Sequence, residues 1–325
     1  MTAETPFHDG ELALQRRYGV AERVGAVAAR VVRDHLTEEH RAFYPLLPMI
    51  ALGAADERGR PWASLIGGAP GFLRSPDPGR LVVGAHPAPG DPLAAALAPG
   101  LAVGGLGLQF ETRRRNRFAA RVEAVDPSGF TLAIDQTFGN CPQHIATRTP
   151  AAAPLTQPAS APEPLDGLDA AARATIAAAD TFLVATAAPA TGDPRRGADV
   201  SHRGGRPGFV RIEADGRLTV PDFAGNGHFN SLGNMLLNPR AGLSFFDGAT
   251  GDVLMLTGAV AILFDDPAIA AFRGAERLWR FRMEAGVRLR GALPVRYALG
   301  EPSPFSLRTG DWTEAAAKAH AFMLP

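Results

Sequence analysis

The sequence predicts a mainly β fold with some helix, an α+β chain carrying two tandem small β-barrels. Three observations support it. "SLIGGAPGFLR" (Ser64 to Arg74) returns 137 residues later as "SHRGGRPGFVR" (Ser201 to Arg211), identical at seven of eleven positions. The match runs on without gaps to "GRLVV" and "GRLTV", so eleven of the twenty positions from Ser64 to Val83 agree; unrelated sequences share roughly one or two. The segments around both copies read as short strands parted by glycine turns, with one or two helices in each.

The elements follow in order. Residues 10–36 lack proline, and Val20, Val24, Val27 and Val31 recur at helical spacing, so residues 1–45 form a helical segment. Thr37 caps a short helix with acidic residues in its first turn. The first barrel spans 46–148. It opens with a strand–turn–strand unit turning at Asp56 to Gly59, followed by strands at 71–74, 80–84, 101–108, 118–125 and 130–134 and a short helix at 91–97. Five prolines between Thr149 and Pro164 mark 149–167 as a linker. The second barrel occupies 168–325 with a C-terminal extension. A helix at 169–179 and the strand "TFLVATAA" open it, with strands at 208–212, 217–220, 241–246 and 253–261. "FNSLGNMLLN" is a helix ended by Pro239; residues 268–282 look helical, and "VRLRGALPVRYAL" adds a closing strand.

Composition bounds the function. A chain of 325 residues is long enough for two cores, and 46% hydrophobic with 20% charged residues is that of a soluble globular protein. With 33 acidic and 33 basic residues there is no global field to draw nucleic acid or membrane. Lys318 is the sole lysine, so any phosphate clamp must use Arg, Ser, Asn or backbone N–H groups. Cys141 is alone, which excludes an intrachain disulfide and a four-cysteine cluster within one chain. The N-terminus lacks a basic segment followed by an apolar core, and no apolar run reaches membrane-spanning length, so a cytoplasmic protein is expected.

The order helix, "FLVATA", glycine-rich turn, "PGFVRI", "GRLTVPDF" and "FNSLGNMLLNPRAGLSFF" resembles the pyridoxamine 5'-phosphate oxidase-like, FMN-binding split-barrel family. It covers about 180–265 well and about 40–135 more weakly, while "FHDGE" and "FGNCPQHI" look like a two-copy branch of predicted flavin-nucleotide-binding proteins. The resemblance implies two split barrels packed as a pseudo-dimer, with FMN in a seam between them. The implied cofactor residues are Ser201, His202, Arg203, Gly208, Phe209, Val210, Phe223, Asn226, Asn230, Ser231 and Asn234. Many relatives carry Arg-Lys where this chain has Asn230-Ser231, so the missing charge must come from elsewhere. The run "ETRRRNRFAAR" supplies it through Arg113 and Arg117; its bland reading is a solvated edge strand.

The other residues have bland readings too. Gly204, Gly205, Pro207 and Gly208 are a strand-to-strand turn, and Arg211, which recurs as Arg74, has a shared structural role. Cys141 is a small structural cysteine, and no histidine spacing suggests a metal site. His202 and Arg203 differ because their counterparts are Leu65 and Ile66. One seam would therefore unite Ser201-His202-Arg203 with the arginine run. The opposite seam would unite Ser64-Leu65-Ile66 with "GDVLM", so a single FMN per chain is expected.

The implied function is an FMN-dependent oxidoreductase acting on a small molecule, with no acid–base residue demanded by the flavin chemistry. A separate reductase is a possible electron donor, and the chain is a monomeric pseudo-dimer or a homodimer. The alternatives are a non-catalytic flavin or haem carrier or sensor, with His202 or His228 as the axial ligand offered to haem, and a degenerate scaffold that binds no cofactor. "GALPVRY" does not reproduce the substrate pattern of pyridoxamine phosphate oxidation.

Overall fold

The computed structural model of the chain describes residues 5–139, 142–152, 161–193 and 195–314. Cys141 and the middle of the expected linker lie outside the described residues.

Three helices lead the chain: α1 (Asp9–Arg17), α2 (Ala21–Val31) and α3 (Glu38–Phe43). The His8 side chain caps α1 and Thr37 caps α3, each accepting from a first-turn N–H. The first sheet is built from β1 (Met49–Ala55), β2 (Pro61–Gly67), β3 (Leu73–Arg74) and β4 (Arg80–Val83). A short helix α4 (Pro92–Ala96) precedes its remaining strands β5 (Ala102–Gln109), β6 (Arg114–Asp126) and β7 (Gly129–Gly139). All its pairings are antiparallel, in the order β2-β1-β5-β6-β7-β4-β3.

After β8 (Arg148–Ala152), β9 (Glu163–Leu165) and α5 (Ala170–Ala178) the same succession returns. It comprises β10 (Thr181–Ala187), β11 (Ala198–Gly204), β12 (Arg211–Ile212), β13 (Leu218–Phe223), α6 (Asn230–Leu237), β14 (Arg240–Phe246), β15 (Val253–Leu263) and β16 (Ala275–Leu289). These strands pair as β11-β10-β14-β15-β16-β13-β12, the strand order of the first sheet position for position, with β9 added on β16. The chain ends its described part with β17 (Val295–Leu299) and α7 (Ser306–Thr309). β17 pairs with β8, so the tail after each sheet joins the tail after the other.

Side-chain alternation explains why the two sheets stack. In β1, Ile50, Leu52 and Ala54 enter the core of the first sheet, whereas Met49 and Ala51 face a third apolar cluster between the sheets. In β10, Phe182 and Val184 enter the second core, and Leu183 and Ala185 join that same central cluster. A strand buried on both faces reads as a continuous apolar run, as both do. The sheets touch in matched pairs: β1 packs on β10, β5 on β11 as β14 on β2, and β6 on β11 as β15 on β2. Gly104 and Gly242 sit at equivalent close approaches, where a Cβ would strike the backbone of Ala198–Asp199 and of Pro61–Trp62.

Several expectations need correction. Residues 275–282 are strand, not helix. Composition there (Ala, Glu, Arg, Leu, Met) favours helix, but buried Trp279 and Phe281 alternate with the outward Arg280, Arg282 and Glu284, which is a period of two. "VRLRGALPVRYAL" splits between the end of β16 and β17, and β17 closes no barrel. The ends of the expected linker are paired strands, β8 and β9. The strand expected at 208–212 shrinks to Arg211–Ile212, because Gly208 takes a left-handed φ of 86° in the turn before it. The arginine run lies on an interior strand, β6, between β5 and β7, so the edge-strand reading does not apply. Among the described residues no helix is long and apolar enough to cross a membrane.

Candidate functional site

One cavity of about 220 Å³ opens where the two sheets meet beside the N-terminus of α6. β11 contributes Ser201, His202 and Arg203; β13 contributes Asp222 and Phe223; β6 of the other sheet contributes Arg115 and Arg117. The segment after β7 adds His144, the N-terminal arm adds Tyr18, Val20 and Arg23, and β16 adds Glu276 and Arg277. Five arginines thus face two carboxylates, which makes the lining cationic.

Phe229, the residue before α6, takes a left-handed conformation (φ 61°, ψ 21°), and the helix has no side-chain cap. The first N–H groups of any helix have no partner within it. Ser231 Oγ lies 2.8 Å from both Asp199 Oδ2 and Ser201 Oγ. Asp199 in turn pairs with Arg117, whose guanidinium also lies 5.4 Å over the Phe138 ring. Burial, helped by Arg115 and Arg203, lowers the Arg117 pKa to about 9. Arg203 Nη1 stands 2.7 Å from Asp222 Oδ1. Arg117 Nε and Arg203 Nε are buried with no hydrogen-bond partner, as is Asn230 Oδ1.

Two histidines line the cavity as neutral rings. His202 is 6% exposed and lies 3.3 Å from Thr181 Oγ1; burial, then nearby Arg115 and Arg148, hold its pKa well below the ordinary histidine value. His144 stacks on Phe223 with ring centroids 4.8 Å apart, and burial lowers its pKa to about 4. Its left-handed backbone brings its carbonyl against Gly204, where any Cβ would collide.

Of the residues expected from sequence, Ser201, His202, Arg203, Phe209 and Phe223 line this cavity, as do Asn226, Asn230, Ser231 and Arg117. Four lie elsewhere. Arg113 is turned away by a left-handed φ of 57°, and its Nε donates to the Ile145 carbonyl. Gly208 occupies the turn and Val210 the second core. Asn234 is spent on anchoring α1: Oδ1 meets His8 Nε2 at 2.9 Å and Nδ2 meets Thr186 Oγ1 at 3.1 Å. Beside it, buried Glu11 accepts from the His8 N–H and from Asn230, and burial pushes its pKa up to about 8. His228, offered above to haem, packs between Phe7 and Phe138 and does not line the cavity. Sequence reasoning missed Tyr18, Arg23, His144 and Arg277; His144 alone stood in a quoted motif.

The corresponding position on the other side is filled. Leu65, Val253, Met255, Leu289, Leu293 and Val295 share one apolar cluster, and Ser64 Oγ donates to buried Asp91 at 2.6 Å. Pro294 covers Gly67 there as His144 covers Gly204.

No family model matches the chain, and no curated protein sequence does. Among solved structures it is similar to HupZ of Group A Streptococcus, with a TM-score of 0.26 and 11% identity over 38% of this chain and 89% of that one. It is also similar to a protein related to general stress protein 26, of the pyridoxinephosphate oxidase family, from Clostridium acetobutylicum. There the TM-score is 0.28 and the identity 14%, over 40% of this chain and 92% of that one.

Proposed function

We propose that the chain binds one FMN in the cavity beside α6 and acts as an oxidoreductase of the pyridoxamine 5'-phosphate oxidase-like type. The observation that carries this reading is the gathering of oxyanion donors in one concave site. Arg117 and Arg203 each bring a buried Nε without a partner, next to Ser201, Ser231 and an uncapped helix N-terminus. A phosphate monoester is what such a set satisfies. In this reading Arg117, Arg203, Ser201 and Ser231 hold the phosphate, while the Asn230 amide stays on Glu11. Phe223 and the His144 ring stacked on it offer an aromatic wall to the flavin ring. His144 and His202, kept neutral by burial, offer hydrogen-bonding edges without charge. Bound FMN would supply two-electron chemistry; the residues bind it, orient it and keep water from it. The substrate is a small molecule, a separate reductase is the candidate electron donor, and the cytoplasm is the proposed location.

The same reading makes the chain a dimer fused into one polypeptide. It comprises an N-terminal helical segment (1–45), a degenerate split barrel (46–148), a connection (149–167) and an FMN-binding split barrel (from 168). The shared strand order, the matched contacts between sheets and the pairing of β8 with β17 support it.

Absorbance of the purified protein with added FMN tests the cofactor. Flavin bands that are retained through gel filtration agree with the proposal, and turnover of reduced nicotinamide then separates enzyme from carrier. A Soret band makes the protein a haem carrier, and a colourless protein that ignores FMN removes the reading.

A further inference from the structure

We infer that the same cavity has a second oxyanion seat, built on Arg277, which takes the carboxylate or phosphate of the small-molecule substrate. The word substrate rests on the FMN reading; the seat itself rests on geometry.

The Arg277 side chain is 1% exposed, yet it lines the cavity. Its guanidinium lies 4.2 Å over the Tyr18 ring and 5.0 Å over the Phe229 ring, and those rings stack on each other at 5.5 Å. Rings packed on a guanidinium hold it in place while its N–H groups remain free to bind. Nη2 meets Glu276. Nε is 3.6 Å from Asp222 Oδ2, too long for a hydrogen bond. Nε and Nη1 are both buried without a hydrogen-bond partner. Burying charged donors in this way is unfavourable unless an acceptor meets them. The stack also holds Phe229 in its left-handed conformation, uncommon for an aromatic residue.

This seat is distinct from the one at α6. Arg117 has Asp199 as its partner and the guanidinium groups of Arg115 and Arg203 as charged neighbours. Asp222 turns one carboxylate oxygen toward Arg203 and the other toward Arg277, which divides the cations of the cavity into two groups. Arg23, exposed on α2, lines the cavity and makes no ion pair among the described residues, so it is placed to meet an incoming anion. Tyr18 and Phe229 border Arg277 with apolar surface and Val20 lines the same cavity, which suits an oxyanion carried on a small apolar body.

The test is calorimetric titration of the FMN-free full chain with inorganic phosphate, repeated after saturation with FMN. Two phosphate sites are expected, of which FMN removes one. Arg277→Lys should weaken the remaining site about tenfold, as loss of one charge-assisted contact does. Arg23→Ala should weaken it about threefold, and FMN affinity should stay within about twofold in Arg23→Ala, which breaks no ion pair among the described residues. If Arg277→Lys does not fold, Arg23→Ala carries the comparison, since its side chain is exposed on α2. A single phosphate site that FMN abolishes overturns the second seat and leaves the FMN reading standing. Two phosphate sites in a protein that binds no FMN overturn that reading and leave the seat. A second site indifferent to both variants overturns its assignment to Arg277.

Discussion

Strands β2 and β11 hold the same place in their sheets, and each is covered by the tail that follows its partner sheet's last strand. Around β11 lies a polar cavity with arginines from both sheets; around β2 lies a plug of leucine, valine and methionine. A shared backbone is thus compatible with opposite interiors. The difference comes from a few side chains. His202 and Arg203 stand where Leu65 and Ile66 do, and the arginines of β6 stand where β15 has Val253 and Met255. Substituting charged donors by apolar groups on both walls of one seam removes the desolvation cost that a site must otherwise carry.

The largest expected effect is on the contact between sheets. Removing residues 1–150 uncovers Leu183, Ala185, Val200 and Met255 together, and the fragment should be insoluble; a soluble, folded fragment in gel filtration and circular dichroism would count against the fused-dimer reading. Next comes the filled seam. Leu65 is 4% exposed in the central cluster, so Leu65→Ala should lower stability by about 2–4 kcal/mol in urea melts, with FMN affinity unchanged. The open seam should answer the other way. Arg203→Ala should weaken FMN about tenfold or more, the loss of one charge-assisted phosphate contact, with a smaller change in the melt. If the two variants gave the same pattern, the contrast between seams would fail.

The smallest effect concerns pH. Burial raises the Glu11 pKa from 4.5 to about 8, so between those values the folded chain holds a proton that the unfolded chain has released. Its contribution is fully present below about pH 4.5 and is lost as pH rises through 8. Stability should fall by about 2 kcal/mol at most between pH 6.5 and 8, a window above the range where the lowered histidines titrate. Glu11→Gln should flatten that slope; an unchanged slope would assign it to other groups.

The repeat was legible because sequence identity survives where backbone turns demand glycine and proline; β2 and β11, which it aligns, hold the same place in the two strand orders. Of the cavity-lining residues, Ser201, Arg203, Ser231 and Arg117 were legible from the repeated motif, the helix start and the arginine run. Arg277 was not, because its strand has a helix-forming composition and only the pairing with β13 and β15 decides its conformation. Tyr18 and Arg23 were not, because nothing local says which wall a leading helix will reach. Asn234 was assigned to the cofactor on the strength of its motif, yet its amide is engaged by His8 and Thr186. An asparagine-rich helix start does not tell ligand contacts from structural ones.

The claim that the two seams have diverged into one site and one plug is tested most directly by counting. Protein saturated with FMN, freed of excess by gel filtration and then denatured, should release one flavin per chain. Two flavins per chain would mean that the apolar cluster around Leu65 opens to a second ligand. None would mean that the arginine-lined cavity holds something other than FMN.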